Sequence, residues 1–422
     1  MKENFLHYLW KYQLFSKNKL QTTISEQITV QKTGLQNSNS GPDFLEATIQ
    51  IGEQLWAGSV EIHLKSSDWY VHNHETDTAY DNVILHVVWE DDIPIFRKNN
   101  TPISTLVLKG LVPKNIWNNY KELFQKNKNW IPCESQIKKV NSFTWNNWKE
   151  HLYIARLENK SKEIEQLLQE SVNDWESVLF KLLTKNFGLK VNASSFKSLA
   201  NIIDYSILRK EKDDSLKLEA LLMGQAGLLS DTIEDTYFHN LQKEYLFQQN
   251  KYSIQPISEK VQFFRLRPPN FPSIRLSQLA NLISKRNSLF QDLMNTKKLS
   301  DFYSLLQTNA SNYWNTHYVF GKKSKKLVKK TSKSFVDLLL INTIIPLQFA
   351  YQKYNGNQDI ESILGLIKAI KPEKNSIINN YKKLGIPIEN AMDSQALIQL
   401  HNNYCKPKLC LSCVVGLSIL KE

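Results

Sequence analysis

The apolar residues of this chain change their period once, and that change limits what the chain can fold into. Between Phe44 and Glu90 they tend to alternate, in the runs FLEATIQI, LWAGSVEIHLK and VILHVVWE, as strands with one covered face do. After Pro113 they recur three and four apart, with Asn or Ser at the starts and Gly or Pro at stops such as Gly188, Gly356 and Pro372, as helices do. Ahead of the strands, Phe5, Leu6, Leu9, Trp10, Tyr12 and Leu14 make residues 3–15 an amphipathic helix. The pattern predicts strands over 20–23, 27–33, 44–51, 55–65, 83–90 and 104–109, with a weaker one at 93–97, and helices over 113–127 and 143–170. The fold class is therefore α+β. An N-terminal mixed β-sheet domain (1–112) precedes a linker with Cys133 (113–141) and a large all-α domain (142–422) that ends in a cysteine cluster. There is no internal repeat of fixed period, so a solenoid is not expected.

A chain of 422 residues can bury a large core, and its aromatic content of 11% excludes a disordered one. The N-terminus MKENFLHYLWKYQLF carries charges inside its apolar pattern and has no small-residue cleavage site, so no targeting peptide is read there. The most apolar run, LLLINTIIPL, is short and interrupted for a membrane span, and the expected location is cytoplasmic, without a membrane partner. Charge is uneven. Residues 1–110 hold 9 Lys or Arg against 13 Asp or Glu, a net of −4, and the rest of the chain carries +16. An acidic unit joined to a basic one suits metal chemistry coupled to nucleic-acid binding through the basic helical domain, although Lys-rich codon usage gives the same excess.

Chemistry concentrates in residues 39–92, which hold four of the nine histidines: His63, His72, His74 and His86. In VEIHLK, alternation sets Glu61, His63 and Lys65 on one strand face and Val60, Ile62 and Leu64 on the other. A carboxylate, an imidazole and an amine in a row can bind a hard cation and orient a water, but an ordinary amphipathic strand reads the same way. Asp43 adds weight. GPDF opens one strand and E-x-H follows 18 residues later on the next, so a hairpin would bring Asp43 and Glu61 together. With Gly52, Glu53 and Gln54 as the turn, Ile51 faces Leu55 and Asp43 faces His63. The apolar phase is odd from Leu45 to Ala57 and even from Val60, which predicts a bulge at Gly58 and Ser59. That bulge would place Glu46 opposite Glu61 as a rival ligand. His72 and His74 flank one residue in a polar loop with Asp68 and Asp77 nearby, and can share a transition metal or simply bond to backbone. His86 alternates with apolar residues and reads as a core histidine.

Other segments read as follows. LLMGQAGLL places Gly224, Ala226 and Gly227 in an apolar run, which implies close helix packing. RLRPPNFPSIRL is a rigid basic loop that can hold phosphates, with a packed connection as the plainer reading. KKSKKLVKKTSK has seven lysines and no aromatic partner, so it is a solvated loop or a phosphate contact without sequence preference. Cys405, Cys410 and Cys413 have the spacing C-x4-C-x2-C, and Cys133 is the one other cysteine. In a reducing compartment four such thiols suit structural zinc or an iron–sulfur cluster, or else are small buried hydrophobes.

GPDF, the long run from GSVEIHLK to VILHVV, EALLMGQAGLL, RPPNFP and the closing cysteines together resemble a family of uncharacterised bacterial proteins over the whole chain. That resemblance implies no activity. The GPD and E-x-H pair is also similar to the metal signature of PD-(D/E)XK nuclease-like phosphodiesterases. This second resemblance implies Mg or Mn at Asp43 and Glu61, and water activation by a Lys two residues beyond the Glu. Here His63 stands at that position and Lys65 lies two further on, a departure from the pattern. The expected function is a metal-dependent nuclease using Asp43, Glu61, His63 and Lys65. The alternatives are a catalytically inactive nuclease-like scaffold that binds nucleic acid, or a metal hydrolase of another substrate centred on His72 and His74. The sequence leaves the oligomeric state open.

Overall fold

Residues 1–422 are described by a computed structural model, apart from 126–128 and 358. The chain divides into two compact units, Met1–Trp148 with Leu400–Glu422, and Lys149–Gln399. This differs from the division expected. The segment 113–141 belongs to the first unit, and the last residues of the chain return to it.

In the first unit, helix α1 (Glu3–Lys11) buries Phe5, Leu6, Tyr8, Leu9 and Trp10. Strands β1 (Ile28–Lys32), β2 (Leu35–Gln36), β3 (Phe44–Ile51), β4 (Gln54–Lys65), β5 (Val83–Glu90) and β6 (Thr105–Val107) form one mixed sheet in the order β1-β3-β4-β5-β6, with β2 also paired to β3. β1, β3 and β4 run antiparallel, whereas β5 is parallel to β4 and β6 to β5. The crossover from β4 to β5 holds a one-turn helix, α2 (Asp68–Val71), over a small core of Trp69, Tyr80, Val83, Ile95 and Ile103. Helix α3 (Lys114–Gln125) follows, and the end of its expected span lies outside the described residues. Its Tyr120 ring stacks on Phe5 at 3.8 Å. The segments expected at 20–23 and 93–97 form isolated bridges, Gln21 with Gln27 and Phe96 with Pro102.

The hairpin register differs from the expected one. Ile51 pairs with Gln54, so the turn has two residues, and Gly52 takes φ +60° in it. The extra residue lies on β3: Ala47 pairs with Gly58 but Phe44 with Val60, and Glu46 adopts φ +59° between them. The odd phase that suggested a bulge on β4 came from Leu45, Leu55 and Ala57, which are exposed and outside the core. Gly58 has a different role. A Cβ there would lie 2.5 Å from Ile84 Cγ2 and 2.6 Å from the Asn82 carbonyl, so glycine lets β5 approach.

The second unit is built of α-helices, from Trp175–Phe187 through Ala391–Leu400, with one short hairpin of His317–Val319 and Lys322–Lys323 inside a region expected to be helical. α4 (Ser142–Glu170), a single long helix as its periodicity predicts, leads into it. Gly224 packs directly against the Tyr245 ring. Arg275, from the proline-rich basic loop and the helix after it, is buried over Phe335 at 3.6 Å and donates to Asn270 and Gln278, so it is a core cation. Lys329 is likewise buried, donating to the Asn315 carbonyl at 3.1 Å. The helical stretch Lys333–Tyr354 is long and apolar enough by composition to cross a membrane, unlike the shorter run read from sequence. Its apolar window is 72% buried, as a core helix is.

Candidate metal centre

Asp43 ends the polar lead-in to β3, and its backbone N–H donates to Glu61 Oε2 at 3.1 Å. Its own Oδ2 accepts the N–H of Ile62 at 3.0 Å. The two carboxylates are thus held at one place by the hairpin itself, Glu61 accepting from the Asp43 backbone and Asp43 from the residue after Glu61. Glu61 is 5% exposed. Burial raises its pKa, the His74 contact works against that rise, and Asp43 adds to it.

β4 and β5 supply the next groups. Glu61 pairs with His86 across the parallel ladder, so both project on one face, and His63 is two residues further along that face. His63 Nδ1 lies 2.8 Å from His86 Nε2, and His63 Nε2 lies 3.0 Å from His72 Nδ1. Both strand histidines are fully buried, and desolvation together with neighbouring imidazoles pulls His63 to about 2 and His86 to about 3. They are therefore neutral, with lone pairs available.

His72 and His74 arrive through the C-terminus of α2. The N–H of His74 bonds to the Trp69 carbonyl at 3.0 Å and that of Asn73 to Tyr70 at 3.1 Å, while Asn73 adopts φ +60°. This is a left-handed helix stop of the kind Asn tolerates, and it lets both histidines face His63 although one residue separates them. His74 is stacked on Tyr80 at 3.7 Å and packed edge-on against Trp69. Asp68 and Asp77 serve the backbone, Asp68 accepting from Lys65 N–H and Asp77 from Ala79 N–H.

His63, His72 and His74 bring ligand atoms within 4.8 Å of one another, the one group of three or more His, Cys, Asp or Glu that does so among the described residues. Glu61 Oε1 adds a donor 3.4 Å from His63 Nε2 and 3.3 Å from His74 Nε2. The Nε2 atoms of His74 and His7 are buried without a well-aligned hydrogen bond.

α1 contributes two groups that sequence reading missed. His7 Nε2 lies 3.1 Å from Asp43 Oδ2, and burial lowers its pKa less than Asp43, Glu3 and Glu61 raise it. Burial, then Asp43, lifts Glu3 to about 7. Their spacing of four on a helix was the available signal. Two expected residues stand apart. Glu46 is exposed, because the bulge turns it out beside Gly34 and Asn82. Lys65 is exposed at the end of β4, with no hydrogen bond or ion pair of its ammonium among the described residues. His86, read as a core histidine, is in the core and also holds His63.

The family model described as "Protein of unknown function (DUF2851)" matches residues 3–376. The chain belongs to that family. The matched part of this DUF2851 member includes every residue of the histidine and carboxylate cluster and Cys133, and ends before Cys405. No curated protein and no solved structure matches it.

Proposed function

We propose that the protein is a metal-dependent hydrolase of phosphodiester bonds in nucleic acid, centred on Glu61. The observation that carries this reading is the sharing of one buried carboxylate, with Oε1 facing His63 and His74 and Oε2 held by the Asp43 N–H. Donors at about 2.0–2.1 Å from a tetrahedral cation lie roughly 3.3 Å from each other. Glu61 Oε1 lies 3.4 Å from His63 Nε2 and 3.3 Å from His74 Nε2, and His63 Nε2 lies 3.0 Å from His72 Nδ1. Atoms at that spacing match the donor separations around one small cation.

Three imidazoles and a carboxylate suit Zn or Mn better than Mg, the ion that carboxylates alone would favour. When bound, such a cation supplies a Lewis acid and a water of lowered pKa. The chain's own part follows from its geometry. His86 fixes the His63 ring through Nδ1 and leaves Nε2 toward the cluster. Tyr80 and Trp69 wall in His74, and Asp43 with His7 flanks Glu61 where a diester oxygen can be oriented or protonated. The strongly positive charge beyond residue 110 supports a polyanionic substrate.

A second reading is favoured by Lys65, whose exposed ammonium is not drawn to the cluster: a nuclease-like protein that binds nucleic acid without cutting it. Purified full-length chain, stripped and reloaded with Mn, Zn or Mg, is assayed for plasmid nicking and for cleavage of a chromogenic phosphodiester. The expected result is turnover that falls by about 100-fold or more in Glu61→Gln and His74→Ala with folding retained. Equal activity in the three proteins sinks the hydrolase reading, and salt-sensitive DNA binding without turnover under any of these metals establishes the second.

A further inference from the structure

The four cysteines all lie in the first unit, and none belongs to the histidine cluster. Cys133 lies just after α3, in a turn where the Gln136 N–H bonds to its carbonyl at 3.0 Å. Cys405 closes the turn His401–Cys405, Cys410 opens the turn Cys410–Ser412, and Cys413 immediately precedes the closing helix Val414–Lys421. That helix packs on α3 and on the turn Ile137–Lys139, bringing the chain's end to Cys133. Trp130 stacks on His401 at 4.8 Å and 10°, fixing the approach from the other side. The turn His401–Cys405 packs on the turn Cys410–Ser412, and the closing helix packs on the latter as well, so the four cysteine-bearing segments meet in one region.

Burial as small hydrophobes accounts for Cys133, Cys410 and Cys413 being under a tenth exposed. It does not account for the convergence of every cysteine in 422 residues, from segments some 270 residues apart, with no disulfide among them. The local backbone is also shaped to the sulfurs. Cys413 itself is the N-cap of that helix, in extended backbone conformation. A Cβ on Gly416 would lie 2.2 Å from the Cys410 carbonyl, so glycine is what lets the Cys410–Cys413 loop fold onto the helix start.

Size then separates two kinds of centre. One tetrahedral zinc at about 2.3 Å from each sulfur needs sulfurs roughly 3.8 Å apart. Among the described residues no three of these thiols gather within 4.8 Å, although the three imidazoles do. A polynuclear cluster places several atoms between its ligands and takes them further apart. We propose that Cys133, Cys405, Cys410 and Cys413 hold an iron–sulfur cluster that clasps the C-terminus onto the segment after α3. This site is independent of the hydrolase reading, since it shares no residue with the histidine cluster.

The test is the composition of the full-length chain purified without oxygen. Iron and acid-labile sulfide in equal amounts, with visible absorption bleached by dithionite, are expected. Cys133→Ser and Cys413→Ser should each lose most of that iron, while His74→Ala keeps it. One zinc per chain and no sulfide overturns the proposal. So does a colourless protein, after reconstitution with iron and sulfide, whose four thiols all react with a thiol reagent on unfolding. Because the wild-type composition decides, a serine variant that fails to fold does not blur the outcome.

Discussion

Replacing Asn73 by Val perturbs the candidate centre without touching a ligand or the core. Asn73 is exposed and adopts φ +60° between the two loop histidines. A residue with a branched Cβ in that conformation costs about 1–2 kcal/mol. Leaving it breaks the bonds of 3.0 and 3.1 Å that end α2 and turns His72 and His74 away from each other. Metal binding would have to restore the turn, so zinc affinity should fall by about 5- to 30-fold. Glycine has no Cβ to clash, and Asn73→Gly should bind within about threefold of wild type. Competition titration of the full chain against a chromophoric chelator reads both variants. Wild-type affinity in Asn73→Val, or an equal loss in Asn73→Gly, would refute the argument that a left-handed residue aims these histidines.

Two further outcomes test other parts of the structure. Glu3 has its pKa raised from 4.5 to about 7 by burial and then by Asp43. The folded state therefore favours its neutral form. Its stabilising contribution is complete below about pH 4.5 and is lost as pH rises through about 7. Glu3→Gln should melt close to wild type near pH 5 and above it near pH 8, and a pH-independent difference would contradict this. At Gly224, an added Cβ would stand 2.1 Å from the Tyr245 ring, so Gly224→Ala should destabilise the second unit by about 1–3 kcal/mol in urea unfolding. Tyr245→Leu in the same chain should recover part of that loss; additive effects would show that the ring is not what the Cβ meets.

The strands and helices were legible because their periods are local. β3, β4, β5 and α4 fall within a residue or so of the bounds that alternation and three-four spacing predict. The hairpin that joins Asp43 to Glu61 was legible for the same reason, since a short turn leaves few registers. The bulge was misplaced, because counting treats Leu45 and Leu55 as core, and whether an apolar side chain at a hairpin is covered depends on what lies over the sheet. His72 and His74 were recognisable as a pair. Their shared direction was not, because i and i+2 histidines converge only when the residue between them takes a left-handed conformation.

By itself, then, the sequence determined the order and type of the elements and the family to which the chain belongs, since periodicity and motif are properties of neighbouring residues. Tertiary structure decided which groups meet. Packing α1 across β4 brought Glu3 and His7 to Asp43. The parallel register of β5 set His86 against His63, excluding Glu46 and Lys65 from the cluster took a bulge and a strand end, and the returning chain end carried three cysteine-bearing segments to the region of Cys133. These contacts join residues from about 20 to some 270 positions apart, and they form because burying apolar faces fixes where helices and strands lie, not because the polar residues attract each other along the chain.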